Sequence, residues 1–304
     1  MSATTADIQQ TDWSQYELRK HKLTPGRVIL YVFLTLMALL WLLPMLLALY
    51  NSFREFGYTL EHGYVSFGGF TLDNYPNAWR RGGFSMSFGN SAIITIVAVI
   101  VTLALSSSMA FVLARVKMRF NFTLLAIFVA ANLLPPQSLL SPIYRIFRSM
   151  PLPQWLSESG SLLDTHASVI LINVAFQTGF CTFVLRNYMI GLPAAMYEAA
   201  EIDGASLWRQ FYGITLPLIR PALAALATLQ VAWIYNEFFW ATVLLQSGDK
   251  MPVTSSLNNL KGTFFTDANL LSAGSIIAAL PVLLIFFVLQ KQFVSGLTLG
   301  ATKD

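Results

Sequence analysis

Six long apolar runs, each with few charges or none, most limit what this chain can fold into. A helix needs about 20 apolar residues to cross roughly 30 Å of hydrocarbon, where every backbone N–H group must be paired within the segment. The runs therefore predict an all-α polytopic membrane protein with six transmembrane helices. They cover residues 28–50, 91–113, 121–144, 167–186, 217–245 and 270–290, and the fifth contains Arg220 and Glu237.

The composition favours a membrane environment and excludes several other classes of protein. Of the 304 residues, 55% are hydrophobic and 11% are charged, whereas a soluble domain carries about 25% charged residues. A soluble enzyme of this length would leave too much apolar surface in water. The net charge of +4 is too small and too dispersed to indicate nucleic-acid binding. The single cysteine, Cys181, excludes a disulfide framework, and its apolar surroundings predict a small buried residue.

The distribution of Lys and Arg predicts the orientation of the chain in the membrane. With a cytoplasmic N-terminus, the inner segments carry more basic residues than the outer ones, and the stretch 115–119 is the strongest part of this bias. We therefore expect a multi-pass protein of the inner (cytoplasmic) membrane, with cytoplasmic tails over 1–27 and 296–304 and a six-span domain over 28–295. The first run is longer than the apolar core of a signal peptide, so we expect it to remain as an anchor.

The connection between the fourth and fifth runs is unusual for a cytoplasmic loop, because most of it is helix-forming in composition. Pro193 suits a first helical position, Gly204 supplies a stop and a tight turn, and Ser206 suits an N-cap. The sequence predicts two short amphipathic helices, Ala194–Asp203 and Leu207–Tyr212, that project from the membrane. This shape favours docking into the groove of a partner, and the alternative is a helix that rests on the lipid headgroups.

The residue spacing in this connection resembles that of a known family. Glu198-Ala199-Ala200 is followed after three residues by Gly204, and after nine more by Ile214-x-Leu216-Pro217. This pattern resembles the EAA loop of the permeases of binding-protein-dependent ABC importers, here about residues 191–217. Other segments resemble the carbohydrate branch of that family, the maltose-importer type, although Trp233 and Asn236 are separated where that branch often has the pair adjacent. These segments are 110–120, 233–240 and 290–304.

The resemblance implies a type I ABC importer permease fold for a sugar or an oligosaccharide, with several partners. The EAA helix would dock on a separate ATPase that holds ATP and Mg, while this chain would bind no cofactor or metal and contain no catalytic residue. The expected partners are a second and different permease subunit, two ATPase subunits, an extracytoplasmic solute-binding protein and membrane lipid, but no nucleic acid. The residues expected to couple to the ATPase are Glu198, Ala199, Ala200, Asp203, Gly204, Phe211, Ile214, Leu216 and Pro217.

Polar side chains within the runs are candidates for a translocation path. An ionisable group at membrane depth is costly unless it faces a polar cavity or a partner, which draws attention to Glu237. In one continuous helix, Gln230, Trp233 and Glu237 would share one stripe, and aromatic faces with amide and carboxylate groups suit a sugar. The alternative for each group is a hydrogen bond that fixes helix packing. The candidates are Gln137, which follows Pro135-Pro136, Gln177, Gln230, Trp233, Asn236 and Glu237.

An enzymatic function is not expected for this chain. It contains no GxxxxGK[ST] loop to hold ATP phosphates, no HExxH pair and no GxSxG elbow. The alternative to an ABC permease is a secondary carrier driven by an ion gradient, with Glu237 as its proton or cation site. The outer segment 51–87 is long enough to meet an external binding protein, and a lid over the helices is the alternative for it.

Overall fold

The computed structural model describes residues 24–116, 118–262 and 265–298, of which 289 and 291–298 are described by their backbone alone. Most of the predicted N-terminal tail, Lys117 of the basic stretch, and the C-terminal tail from residue 299 therefore lie outside the described residues. Within the described residues the chain is helical, with two isolated β-bridges and no strand. The predicted all-α class is confirmed.

The chain forms two units, which divide after Leu47. From Pro25 onward, the first unit belongs to α1 (Pro25–Ser52), an unbroken helix with Pro44 inside it. It covers the predicted run 28–50 and is long and apolar enough to cross a membrane.

The second unit, from Ala48 onward, contains the remaining helices. They are α2 (Phe56–His62), α3 (Asn74–Arg81), α4 (Phe84–Arg115), α5 (Asn121–Asn132), α6 (Leu140–Ser149), α7 (His166–Ile190), α8 (Ala194–Ile202), α9 (Leu207–Gln210), α10 (Leu216–Leu218), α11 (Arg220–Tyr235), α12 (Phe239–Leu244), α13 (Val253–Ser256) and α14 (Ala268–Thr298). Short 3₁₀ segments lie at Pro136–Leu139, Gly248–Lys250 and Leu257–Leu260, and a π-helical segment at Phe211–Thr215 joins α9 to α10.

The long helices agree with the six predicted spans. Among the described residues, α1, α4, α7 and the Ala268–Val288 part of α14 can each cross a membrane alone. Two further candidates are bent pairs, Asn121–Asn132 with Pro136–Ser149 at 96° and Leu207–Leu218 with Arg220–Tyr235 at 71°.

The break in the third span follows from its prolines. Pro136 opens the 3₁₀ segment after α5, and Pro135 is extended there. Proline supplies no N–H group and disfavours a helical residue before it, so the helix cannot continue.

The fifth run differs from the prediction of one helix over 217–245. The helix α11 ends at Tyr235 and α12 starts at Phe239, so residues 236–238 interrupt it.

The core of the second unit forms where α4 packs along α7, and small residues permit this close approach. Ala98, Ser106 and Ala110 of α4 are fully buried, and Ser106 Oγ donates a hydrogen bond to the carbonyl oxygen of Thr178 in α7. Ser107 is buried as well, whereas Ser108 is exposed and donates a hydrogen bond to the Ala104 carbonyl of its own helix.

Candidate functional site

The predicted pair of short helices is present, and we call residues 193–217 the coupling hairpin. Helix α8 starts directly after Pro193, and Ser206 Oγ caps α9 by accepting a hydrogen bond from the Arg209 N–H group at 3.4 Å. The first predicted helix extends one residue beyond the observed one. The second differs more, because α9 ends at Gln210 and the π-helical segment follows.

The tip of the coupling hairpin is closed by one backbone and one side-chain hydrogen bond around Gly204. The Ala205 N–H group donates to the Ala200 carbonyl at 2.8 Å, and Gln210 Nε2 donates to the Ala205 carbonyl at 3.1 Å. Gly204 has φ +75°, and a Cβ added there would meet no atom within 4 Å. The backbone conformation, rather than lack of space, therefore favours glycine at this turn, as the sequence predicted.

The predicted coupling residues divide between two faces of the hairpin. Those on the exposed face are Glu198, Ala199, Asp203, Gly204 and Pro217, and those that are buried or half-buried are Ala200, Phe211, Ile214 and Leu216. Phe211 packs on Phe111 of α4 with ring centroids 5.2 Å apart. The hairpin thus presents one face outward and rests its other face on the spans.

Two residues at the base of the hairpin were not singled out by the sequence analysis. Tyr197, 3% exposed, shares a hydrogen bond of 3.0 Å with Thr215 Oγ1. The Arg115 Cζ atom, at the end of α4, lies 3.2 Å from the centroid of the Tyr197 ring. Tyr197 lies three positions before buried Ala200, so both lie on one face of the helix. This spacing in the sequence indicates that the Tyr197 side chain is buried.

The structure brings together two of the residues proposed for a translocation path. Gln230 Nε2 in α11 lies 3.3 Å from Gln177 Oε1 and 3.1 Å from Cys181 Sγ, both in α7. Gln230 and Cys181 are fully buried within this chain. Gln230 therefore makes the inter-helix contact that was its alternative interpretation, and Cys181 is the small buried residue expected.

The remaining polar candidates differ in exposure. Trp233 is 45% exposed and its ring centroid lies 5.4 Å from that of Phe180. Asn236 is exposed and donates a hydrogen bond to the Ala232 carbonyl. Gln137 is exposed in the 3₁₀ segment that breaks the third span.

Glu237 holds the start of α12. Its Oε1 accepts a hydrogen bond from the Trp240 N–H group at 2.7 Å, and its Oε2 accepts one from the Ala241 N–H group at 3.0 Å. The N–H groups of a first helical turn lack partners within the helix, so this carboxylate satisfies two of them. The prediction of one continuous stripe through Gln230, Trp233 and Glu237 is wrong, because the helix ends between the last two.

The outer segment 51–87 is organised by a buried arginine. Arg54 is 0% exposed, and its guanidinium donates to the carbonyl oxygens of Gly63, Tyr64 and Gly68 and to Ser66 Oγ. Phe67 remains 83% exposed on the loop that Arg54 holds.

A second polar cluster, which the sequence analysis missed, joins the start of α7 to the connection after α12. The Asp164 carboxylate accepts hydrogen bonds from the Gln246 N–H group at 2.8 Å, the Ser247 N–H group at 2.9 Å and Lys250 Nζ at 3.1 Å. Burial alone would raise the pKa of Asp164, but the hydrogen bonds from Ser247, Gln246 and Lys250 lower it to about 2. Burial would lower the pKa of Lys250, and Asp164 raises it instead.

The described residues contain no group of three or more His, Cys, Asp or Glu side chains that could hold a metal ion.

A family model described as the binding-protein-dependent transport system inner membrane component matches residues 105–298. This match covers the coupling hairpin and the last four spans. The chain belongs to this family. It is the membrane permease of a binding-protein-dependent ABC importer, a multi-pass subunit rather than an enzyme. Neither this family nor the relatives described below support the alternative of an ion-driven carrier.

Three curated relatives are similar over most of this chain. A probable ABC transporter permease protein of Pyrococcus horikoshii is 33% identical over 84% of this chain and 91% of its own length. The osmoprotective compounds uptake permease protein of Synechocystis is 30% identical over 90% and 92%. The alpha-glucoside transport system permease protein of Rhizobium meliloti is 33% identical over 77% of this chain and 60% of its own length.

A solved structure shows the same fold. It is that of a bacterial ABC transporter involved in the import of the acidic polysaccharide alginate, and one of its chains matches with a TM-score of 0.72 at 23% identity. The match covers 88% of this chain and 95% of the other. The type I permease fold expected from the sequence is confirmed.

Proposed function

We propose that this chain forms half of the translocation path for a sugar or an oligosaccharide, in an importer of the maltose-importer type. The observation that carries the proposal is the 33% identity to the alpha-glucoside permease of Rhizobium meliloti. The exposed indole of Trp233, beside Phe180, offers an apolar face of the kind that binds the C–H face of a sugar ring. Gln137, Gln177 and Asn236 remain the proposed polar residues of the path, whereas the contacts of Gln230 and Glu237 favour their alternative, structural roles.

A second class of solute is favoured by one specific relative, which is named for osmoprotective compounds. Titration of the cognate solute-binding protein with α-glucosides, and separately with small osmolytes that are not glycosides, distinguishes the two classes. Saturable binding of a glycoside supports the proposal. Binding of the osmolyte alone would contradict it.

The coupling hairpin is proposed to dock on a separate ATPase, which would hold ATP and Mg. Glu198 and Ala199 are exposed while Tyr197 and Ala200 are buried, so one face of α8 is free for a partner. The exposed Glu198 carboxylate can accept a charge-assisted hydrogen bond from a basic group. We further propose a second permease subunit, two ATPase subunits and a cytoplasmic location of the tails at 1–27 and 296–304.

Site-directed crosslinking tests the docking. The single native cysteine is buried, so a cysteine introduced at Glu198 is the accessible one for a short crosslinker. We expect Glu198→Cys to crosslink to the ATPase in the native assembly. The matched control is Phe67→Cys, which is exposed on the segment proposed to lie outside and should not react with the ATPase. Crosslinking from residue 67 but not from residue 198 would overturn the orientation and the docking.

The outer segment 51–87 is proposed to meet the solute-binding protein. Its loop carries exposed Tyr64, Phe67 and Phe70, which Arg54 holds in place through the hydrogen bonds described above. In an affinity measurement with the purified importer, Phe67→Ser should weaken capture of the binding protein. Unchanged affinity would favour the alternative of a lid.

A further inference from the structure

The contact between Arg115 and Tyr197 joins the last residue of α4 to the first buried side chain of α8. The geometry points to Arg115 as a positioning residue that transmits displacement of the coupling hairpin to α4. This inference rests on the proposed docking of the hairpin on an ATPase.

The guanidinium of Arg115 faces the aromatic ring at close range. Its Cζ atom lies 3.2 Å from the ring centroid, and Tyr197 is 3% exposed. The Nε and Nη2 atoms of Arg115 are buried, and neither has a hydrogen-bond partner within the described part of the chain. Because a planar guanidinium stacks on an aromatic face better than an ammonium does, the contact suits arginine specifically.

Tyr197 is well placed to follow any movement of the docking face. It directly precedes exposed Glu198 in the rigid helix α8, so a force on Glu198 displaces the Tyr197 ring as well. The Tyr197 hydroxyl contacts Thr215 Oγ1, which in turn donates to the Gln210 carbonyl at 3.2 Å. The ring is therefore fixed within the hairpin on one side and covered by Arg115 on the other.

Helix α4 is suited to transmit the displacement because both of its ends are held. Near Arg115, Arg186 Nε in α7 donates to the Leu113 carbonyl at 3.3 Å. At the other end, Asn90 Nδ2 donates to the carbonyl oxygens of Asp249 and Met251 at 2.6 and 3.1 Å.

These contacts connect two distant parts of the second unit. At 1.5 Å rise per residue, Asn90 and Arg115 are roughly 37 Å apart along α4. The segment that Asn90 holds is the one that Lys250 ties to Asp164. One uninterrupted helix thus links the coupling hairpin to the connection after α12.

The test uses the complete importer, reconstituted with its ATPase and solute-binding protein in lipid vesicles. Of two single variants, Arg115→Gln removes the guanidinium of the stack and Tyr197→Leu removes the aromatic ring. We expect the ATPase to co-purify with both, while solute imported per ATP hydrolysed falls about tenfold in each. The double variant should be no worse than either single variant, because both remove the same contact.

Two matched variants separate this role from general damage to the fold. Tyr197→Phe keeps the ring and removes the hydroxyl, so it should retain the ratio of import to hydrolysis. Arg119→Gln removes an exposed arginine from the same connection and should leave the ratio unchanged.

Three results would overturn the inference. The first is a normal ratio of solute imported to ATP hydrolysed in Arg115→Gln, and the second is a double variant in which the two single effects multiply. The third is loss of the ATPase from the purified Arg115→Gln assembly, which would show that the residue acts in folding or docking. A wild-type assembly whose hairpin never crosslinks to the ATPase would instead overturn the proposed docking itself.

Discussion

Glu237 Oε1 lies 2.7 Å from the backbone nitrogen of Trp240, three residues further along the chain. With Oε2 on Ala241, both carboxylate oxygens are engaged by the first turn of α12. This geometry makes Glu237 a cap for a helix at the break in the fifth run. It gives a structural reason why an acidic residue occurs in an otherwise apolar segment.

Replacing Glu237 distinguishes a cap from an ion site. Glu237→Gln keeps one acceptor oxygen, so we expect uptake in reconstituted vesicles to stay within about threefold of wild type. Glu237→Ala removes both acceptors and should lower the free energy of unfolding by about 0.5–2 kcal/mol, the usual range for loss of a capping side chain. Thermal unfolding of the detergent-solubilised subunit measures this. Abolished uptake in Glu237→Gln, with sensitivity to an uncoupler at constant ATP, would indicate the ion-driven carrier instead.

Gly204 offers a test of whether backbone conformation or partner contact governs the hairpin tip. A left-handed conformation costs most residues about 1–2 kcal/mol, whereas Asn and Asp adopt it more readily. Gly204→Val should therefore disturb the turn, and Gly204→Asn should retain more ATP turnover stimulated by the binding protein.

Gly204→Asp adds a charge to the same turn. It should abolish transport-coupled ATP turnover while the subunit stays in the membrane. Because a Cβ at this position has free space within the chain, this loss would arise at the partner surface. Normal transport by Gly204→Asp would show that the hairpin is not the coupling element.

Asp164 predicts a pH dependence of stability. Its pKa is about 2 in the folded chain and 3.8 in its ordinary state, so the charged form stabilises the fold above about pH 4. That contribution, roughly 2 kcal/mol, is lost as the pH falls from about 4 towards 2. Thermal unfolding between pH 6 and pH 3 should show a steeper decline for wild type than for Asp164→Asn. The matched control is Glu158→Gln, because Glu158 is 87% exposed and lies 3.8 Å from Lys250. An identical decline in wild type and Asp164→Asn would show that the charge of Asp164 does not cause the loss of stability at low pH.

Gly179 of α7 lies so close to α5 that a larger residue would not fit between the two helices. A Cβ at this position would lie 2.6 Å from the Phe128 carbonyl oxygen and from Asn132 Nδ2. Gly179→Ala should therefore destabilise the subunit by about 1–3 kcal/mol, as overpacking does elsewhere. Gly89→Ala in α4 meets no atom within 4 Å and should be neutral or slightly stabilising. Equal unfolding temperatures for Gly179→Ala and wild type would show that the two helices separate at little cost.

Hydrophobic length made most of the fold predictable. The long helices follow the apolar runs because a helix needs about 20 apolar residues to cross a bilayer. Pro135-Pro136 marks the break in the third span. The break at residues 236–238 was missed because no proline or glycine stands there. In the structure, the Glu237 carboxylate marks this break by accepting hydrogen bonds from the N–H groups of Trp240 and Ala241.

The coupling hairpin was predictable to different degrees in its parts. Local turn chemistry identified Gly204 and Ser206, since both act on the backbone around them. The stack of Arg115 on Tyr197 depends on how α4 and α8 pack, and the Asp164–Lys250 pair joins positions 86 residues apart. Such long-range contacts leave no periodic pattern in a single sequence.

The closed geometry of the coupling hairpin has a consequence for how importers of this kind diversify. A hydrogen bond from Gln210 to the Ala205 carbonyl closes the tip, and a hydrogen bond between Tyr197 and Thr215 closes the base. These polar contacts of the coupling hairpin are therefore internal. Its buried face joins a cluster that includes Phe111 of α4 and Leu185 and Met189 of α7. Such an element can be exchanged between paralogous transporters together with the residues that it packs on. The choice of motor and the choice of cargo could then evolve separately.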